Sequence, residues 1–156
     1  MTLSERIEKD YIAAYKAKDQ LTLDVLRLLK TAAKNLLVEL KRPAGSPGST
    51  LSDAEMLDVL LRQSKQRQDS IEQYRNAGRE DLAEREAAEL RILQGYLPQP
   101  VSGDELPGIV DAAVREAGAQ SMKDMGRVMN AIMAQYKGRI DGKALSAAVK
   151  ARLSQA

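Results

Sequence analysis

The chain contains no cysteine, histidine, tryptophan or phenylalanine in 156 residues. Without thiols and imidazoles there is no disulfide, no thiolate nucleophile, no imidazole acid–base catalyst, and none of the usual zinc or haem ligands. Five tyrosines are the only aromatic residues, too few to build the stacking platform on which single-stranded nucleic acid is held. Neither a GxxxxGK[ST] loop nor a GxGxxG turn is present, and the glycine-containing run at 43–50 has no lysine at the spacing phosphate binding needs. ATP chemistry is therefore not expected, and no catalytic residue, cofactor or metal site is assigned. No stretch approaches the roughly 20 apolar residues of a membrane span. The first ten residues include acids and lack a secretory signal pattern, so the expected address is cytoplasmic.

Apolar residues make up 44% of the chain and charged residues 29%, enough of each for a core and a solvated surface. The formal charge of +2 conceals an uneven distribution: residues 121–156 carry seven basic and two acidic side chains, whereas residues 1–98 are balanced. A basic end of this kind is a footprint for nucleic acid or an acidic partner.

Periodicity is helical throughout and no alternation of period two occurs, which makes the fold class all-α. Leu3, Ile7, Tyr11 and Ala14 trace one stripe, and Leu21, Val25, Leu28, Ala32 and Leu36 trace a second, with the two helices meeting near Asp19. The run PAGSPGST at 43–50 is loop chemistry. Ser52 and Glu55 form a capping box for a long third helix whose stripe is Met56, Leu60, Ser64, Ile71 and Tyr74. A fourth helix from about Glu80 to Gln94 turns Leu82, Leu90 and Leu93 inward. Its acids Glu80, Asp81, Glu84, Glu86 and Glu89 interleave with Arg79, Arg85 and Arg91, the pattern of a solvated, salt-bridged face. Pro98 and Pro100 in GYLPQP stop that helix. The expected organisation is an N-terminal bundle of about four helices at 1–97 and a three-helix domain at 98–156.

In the second domain Asp104 is the expected cap of a helix with Pro107 in its first turn, and Ser121 caps the next. Met122, Met125, Met129, Ile132 and Tyr136 line one helix face, while Lys123, Arg127, Asn130, Ala134 and Lys137 emerge opposite. Gly138 and Asp141 are the stop and start signals of a helical hairpin, GRIDG. Arg139 and Lys143 flank that turn, and Gly142 permits close backbone approach. Gly126 lies within a helix, where it costs roughly 1 kcal/mol relative to Ala and so marks close helix approach or a contact surface.

The strings KQRQDSIEQYRNAGREDLAEREAAEL, YLP at 96–98, SMKDMGRVMNAIM and GRIDGK, in that order, resemble the YqeY-like proteins of the GatB/YqeY family. The resemblance covers nearly the whole chain and implies a helical bundle joined to a small three-helix tail. That tail is similar to the C-terminal domain of the B subunit of the glutamyl/aspartyl-tRNA amidotransferase, where it helps hold the tRNA body. By this likeness the segment from Lys123 to Lys143 is the one expected to touch tRNA. The chain departs from the family pattern at Pro107 and in its extended 43–50 loop, and it lacks a counterpart of the subunit's catalytic cradle.

The expected function is that of a tRNA-associated accessory module without a complete catalytic site. It binds backbone phosphates through Lys123, Arg127, Asn130, Lys137, Arg139 and Lys143, on a surface shaped by Gly126, Gly138 and Gly142. One alternative is an adaptor docking an aminoacyl-tRNA synthetase or amidotransferase component through Arg62, Lys65, Arg67 and Arg75 of the third helix. Another is a non-catalytic subunit in carbon–nitrogen ligation with glutamine as the nitrogen donor.

Overall fold

The structure, a computed structural model, describes residues 1–155. Among the described residues there are seven α-helices, one short 3-10 turn and no strand. They divide into two compact units, Met1–Leu97 and a second from Pro98 onward.

The first unit is built from α1 (Leu3–Ala17), α2 (Gln20–Glu39), α3 (Asp53–Asn76) and α4 (Glu80–Gln94). Each of the first three starts on a side-chain oxygen. Thr2 with Glu5 and Ser52 with Glu55 form reciprocal capping boxes, and Asp19 caps α2 by accepting from the Thr22 amide. Glu55 also takes both of its oxygens to Arg42, at 2.9 and 3.0 Å. The Ser52 amide first, and the Arg42 guanidinium second, hold the Glu55 carboxyl below its ordinary range.

Ile7, Val25, Leu26, Leu29, Met56, Leu60, Leu93 and Tyr96 form the centre of this unit. Leu51, at the end of the 43–50 loop, is also buried and closes the core beside α3. On α2 the buried row runs through Leu26, Leu29 and Ala33, not through the Leu21 and Leu28 of the expected stripe, which are 37% and 55% exposed. Val25 lies near the shared edge of the two rows and is buried in either case.

The expectation for α4 is corrected at its inner side. Glu80 and Asp81 do form exposed pairs with Arg75 and Arg79. Glu89, by contrast, faces α3, where its carboxylate lies 3.5 Å from the Nε of Arg67, and the two side chains are only 15% and 8% exposed. Arg67 is thus withdrawn from the polar surface on which a partner was expected to dock. It sits three residues after buried Ser64 and four before half-buried Ile71, within the inward row of α3.

The second unit contains α5 (Leu106–Ala117), a 3-10 turn at Met122–Asp124, α6 (Met125–Gln135) and α7 (Gly142–Ser154). Val110, Val114, Val128, Ile132, Leu145, Val149 and Leu153 close its core. Pro107 does lie in the first turn of α5, but Asp104 is not its cap: the Ser102 hydroxyl accepts from the Glu105 amide one turn earlier, at 3.3 Å. Proline lacks the N–H that would otherwise need a partner there.

Candidate functional site

The basic end begins at a tightened turn. Ser121 accepts from the Lys123 amide and caps the 3-10 turn, which runs directly into α6. Asp124 accepts from the Gln120 amide at 3.0 Å and from the Arg127 guanidinium at 3.2 Å. The Gln120 amide, and secondarily that of Ser121 and the Arg127 charge, keep its carboxyl below the usual carboxylate range. The acid is thus committed to building the turn.

Along α6 the inward residues are Val128 and Ile132, fully buried, with Met125, Met129 and Tyr136 packed at their margins. Met122, expected to lead the apolar row, is 41% exposed because the 3-10 turn carries it out of register with α6. Lys123, Arg127, Asn130, Ala134 and Lys137 are all exposed. Gly126 is exposed as well, and a Cβ there would meet no atom within 4 Å. Close helix approach is therefore not its role. The same open space surrounds Gly142, which begins α7 without a neighbouring backbone against it.

Between α6 and α7 the chain reverses through a short turn. Gly138 adopts a φ of 77°, a left-handed conformation that side chains disfavour. The helix has already ended, at Gln135. Asp141 then caps α7 by accepting from the Ala144 amide at 3.2 Å. Arg139, half-buried in this turn, is tied down twice: its Nε donates to the carbonyl of Gln99 at 2.9 Å, and its guanidinium lies 5.5 Å from the Tyr136 ring. Its own carbonyl accepts from the Val101 amide. Lys143, one residue into α7, is exposed.

Asp141 is consumed by capping and Asp124 by the Gln120 amide and Arg127, and Arg152 is paired with Asp111 at 3.1 Å. Lys123 and Lys143 carry outward charge at the starts of α6 and α7, and Lys150 adds another exposed ammonium on α7. Among the described residues no cluster of carboxylates could hold a metal ion. The exposed surface of these turns is cationic.

A family model described as Yqey-like protein matches residues 4–153. The chain belongs to the Yqey-like family. Its similarity to curated proteins of this kind is moderate but extended. It is 30% identical over 136 residues to Altered inheritance of mitochondria protein 41, mitochondrial, of Pyrenophora tritici-repentis, a match covering 86% of this chain and 71% of that protein. The protein of the same name from Kluyveromyces lactis is 32% identical over 147 residues, covering 93% and 72% respectively. That from Lachancea thermotolerans is 33% identical over 99 residues, covering 63% and 50%.

All three Yqey-like relatives are named as mitochondrial proteins, which points to mitochondria and corrects the cytoplasmic address expected above. Acids near the N-terminus argue only against a secretory signal, a separate question from mitochondrial residence.

Proposed function

We propose that this Yqey-like chain is an RNA-associated accessory module whose second unit holds a structured RNA, of the tRNA class, by its backbone phosphates. The observation that carries the reading is the use of Asp124 and Asp141 within their own turns, with Lys123 and Lys143 left exposed beside the same two turns. Asp141 is turned to a backbone amide and Asp124 to an amide and Arg127, while Lys123 and Lys143 face solvent, so the two turns present positive charge outward.

Lys123, Arg127, Asn130, Lys137 and Lys143 are the contacting residues in this proposal. Arg139 acts through the turn that it fixes to Gln99, and Gly138 supplies the reversal. Gly126 and Gly142, with open space where a Cβ would stand, leave room for a phosphate to reach the flanking basic side chains. Recognition is by shape and charge without base readout, consistent with the shortage of aromatic residues.

The test is fluorescence anisotropy of labelled bulk tRNA against the full chain at several salt concentrations. About four neutralised phosphates, one for each cationic contact, correspond to a log–log slope of roughly 4 by the duplex rule. A combined Lys123→Ala and Lys143→Ala variant should bind more weakly and show a shallower slope. Equal affinity and slope for the variant and the parent would exclude this surface as the binding site.

A further inference from the structure

The first unit contains a polar feature of its own. A cleft of about 620 Å³ opens among α2, α3 and α4. Arg67, Arg85, Glu86 and Glu89 line it, with Tyr74 and the carboxamide of Asn35 at its walls. Eight residues of the string at 65–90 that carries the family resemblance line this cleft.

Arg67 is 6% exposed, yet its donors are poorly used. One Nη donates to Gln63 at 3.1 Å, while the buried Nε has no hydrogen-bond partner. Its nearest carboxylate oxygen on Glu89 is 3.5 Å away, close enough for attraction but outside good hydrogen-bond geometry. A buried guanidinium with an unfilled donor is costly unless something else accepts from it.

The charges of the cleft select the kind of acceptor. Glu86 and Glu89 oppose a phosphate dianion, and Arg67 and Arg85 oppose a simple cation, so net charge of either sign meets two like-charged residues. A molecule with a carboxylate at one end and an ammonium at the other meets an opposite charge at each. Burial and the neighbouring Glu89 raise the Glu86 carboxyl above its ordinary range. Arg67 and Arg85 offset this only in part, and an ammonium arriving there would add a direct opposite charge.

We infer that the cleft among α2, α3 and α4 is a binding site for a small zwitterion of the amino-acid class, its carboxylate accepting from Arg67 and its ammonium donating to Glu86. The inference is independent of RNA binding by the second unit. It assigns a ligand and no reaction.

The experiment is a titration of the isotopically labelled full chain with each proteinogenic L-amino acid at millimolar concentration, followed by amide chemical shifts. The expected result is saturable shifts confined to the cleft-facing parts of α2, α3 and α4 for at least one amino acid. Acetylating its amine, amidating its carboxylate, or introducing Glu86→Gln should each weaken binding by about tenfold, the size of one charge-assisted hydrogen bond. The chemical analogues need no altered protein, so a poorly folding variant does not decide the matter. Absence of saturable shifts for every amino acid, shifts centred elsewhere, or equal binding of the acetylated and amidated forms would each overturn the proposal.

Discussion

The hydroxyl of Tyr96 donates to Oδ2 of Asp10 at 2.6 Å, joining the turn just after α4 to the middle of α1 across 86 positions of sequence. Burial first, and the Asp10 carboxylate second, raise the phenol far above its ordinary range, so it remains a donor at any working pH. The guanidinium of Arg6 covers the ring at 4.7 Å and donates to the Gly95 carbonyl at 2.9 Å. The last turn of the bundle is thus fixed to its first helix just before Pro98.

Tyr96→Phe removes the hydroxyl while keeping the ring, and leaves the Asp10 carboxylate without its partner. The expected loss is about 1.5–3 kcal/mol, the range for a hydrogen bond to a charged group. Urea unfolding followed by circular dichroism measures it. A midpoint unchanged from the parent would show that water replaces the phenol at no cost.

Gly126 and Gly138 should respond oppositely to alanine. At Gly126 the added methyl meets open space on a helix, and stability should rise by about 0.5 kcal/mol. At Gly138, where φ is 77°, it should fall by roughly 1–2 kcal/mol. If Gly126 is a phosphate approach point, the alanine variant will also bind tRNA more weakly despite melting higher. That pairing of a higher Tm with lower affinity separates a contact role from a structural one.

Arg139→Ala should lower the melting temperature of the second unit, because it removes the donor to Gln99 and the cover over Tyr136; the expected cost is about 1 kcal/mol. Lys143→Ala should leave the same melt unchanged. Differential scanning calorimetry of the two variants distinguishes them, and equal melts would mean that the turn is held by its backbone alone.

Glu86 gives a pH signature in the free protein. Its folded-state pKa lies above the ordinary carboxyl value, so its ionisation opposes folding. Its contribution is most favourable below the unfolded pKa and is lost as pH rises through the folded one. Glu86→Gln should therefore melt higher than the parent at pH 7, with the advantage disappearing in acid below about pH 4. A constant difference across that range would remove the ionisation of Glu86 as its cause.

The sequence is a good guide to which segments are helical and a poorer one to which neighbouring residue points inward. On α2, Leu28 and Leu29 are adjacent leucines, and successive residues differ by only about 100° around the helix. Two rows one step apart then look equally apolar, and packing against α1, α3 and α4 selects Leu26 and Leu29. In the second unit Val128 is fully buried but stands in no methionine row, since the spacing from Met122 crosses a 3-10 turn before α6 begins.

Arg67 shows a different kind of blindness. Its position, three after Ser64 and four before Ile71, is the inward one on α3, but a positive charge in that place reads as a break in the stripe. Only the fold brings Glu89 from the neighbouring helix to 3.5 Å from it. The turns of the basic end are more legible because their signals are local: Ser121 and Asp141 cap within three residues of themselves. Arg139 escapes that logic, as its partner Gln99 is 40 positions away.

The 43–50 segment has fixed ends: Arg42 is held by both oxygens of Glu55, and Leu51 is buried in the core. What lies between can change length while the helices on either side keep their places, and each doubling of such a loop costs only about 0.6 kcal/mol of closure entropy. The molecule therefore has a built-in insertion point. A fluorophore or an epitope carried there would report on binding elsewhere without entering either hydrophobic core.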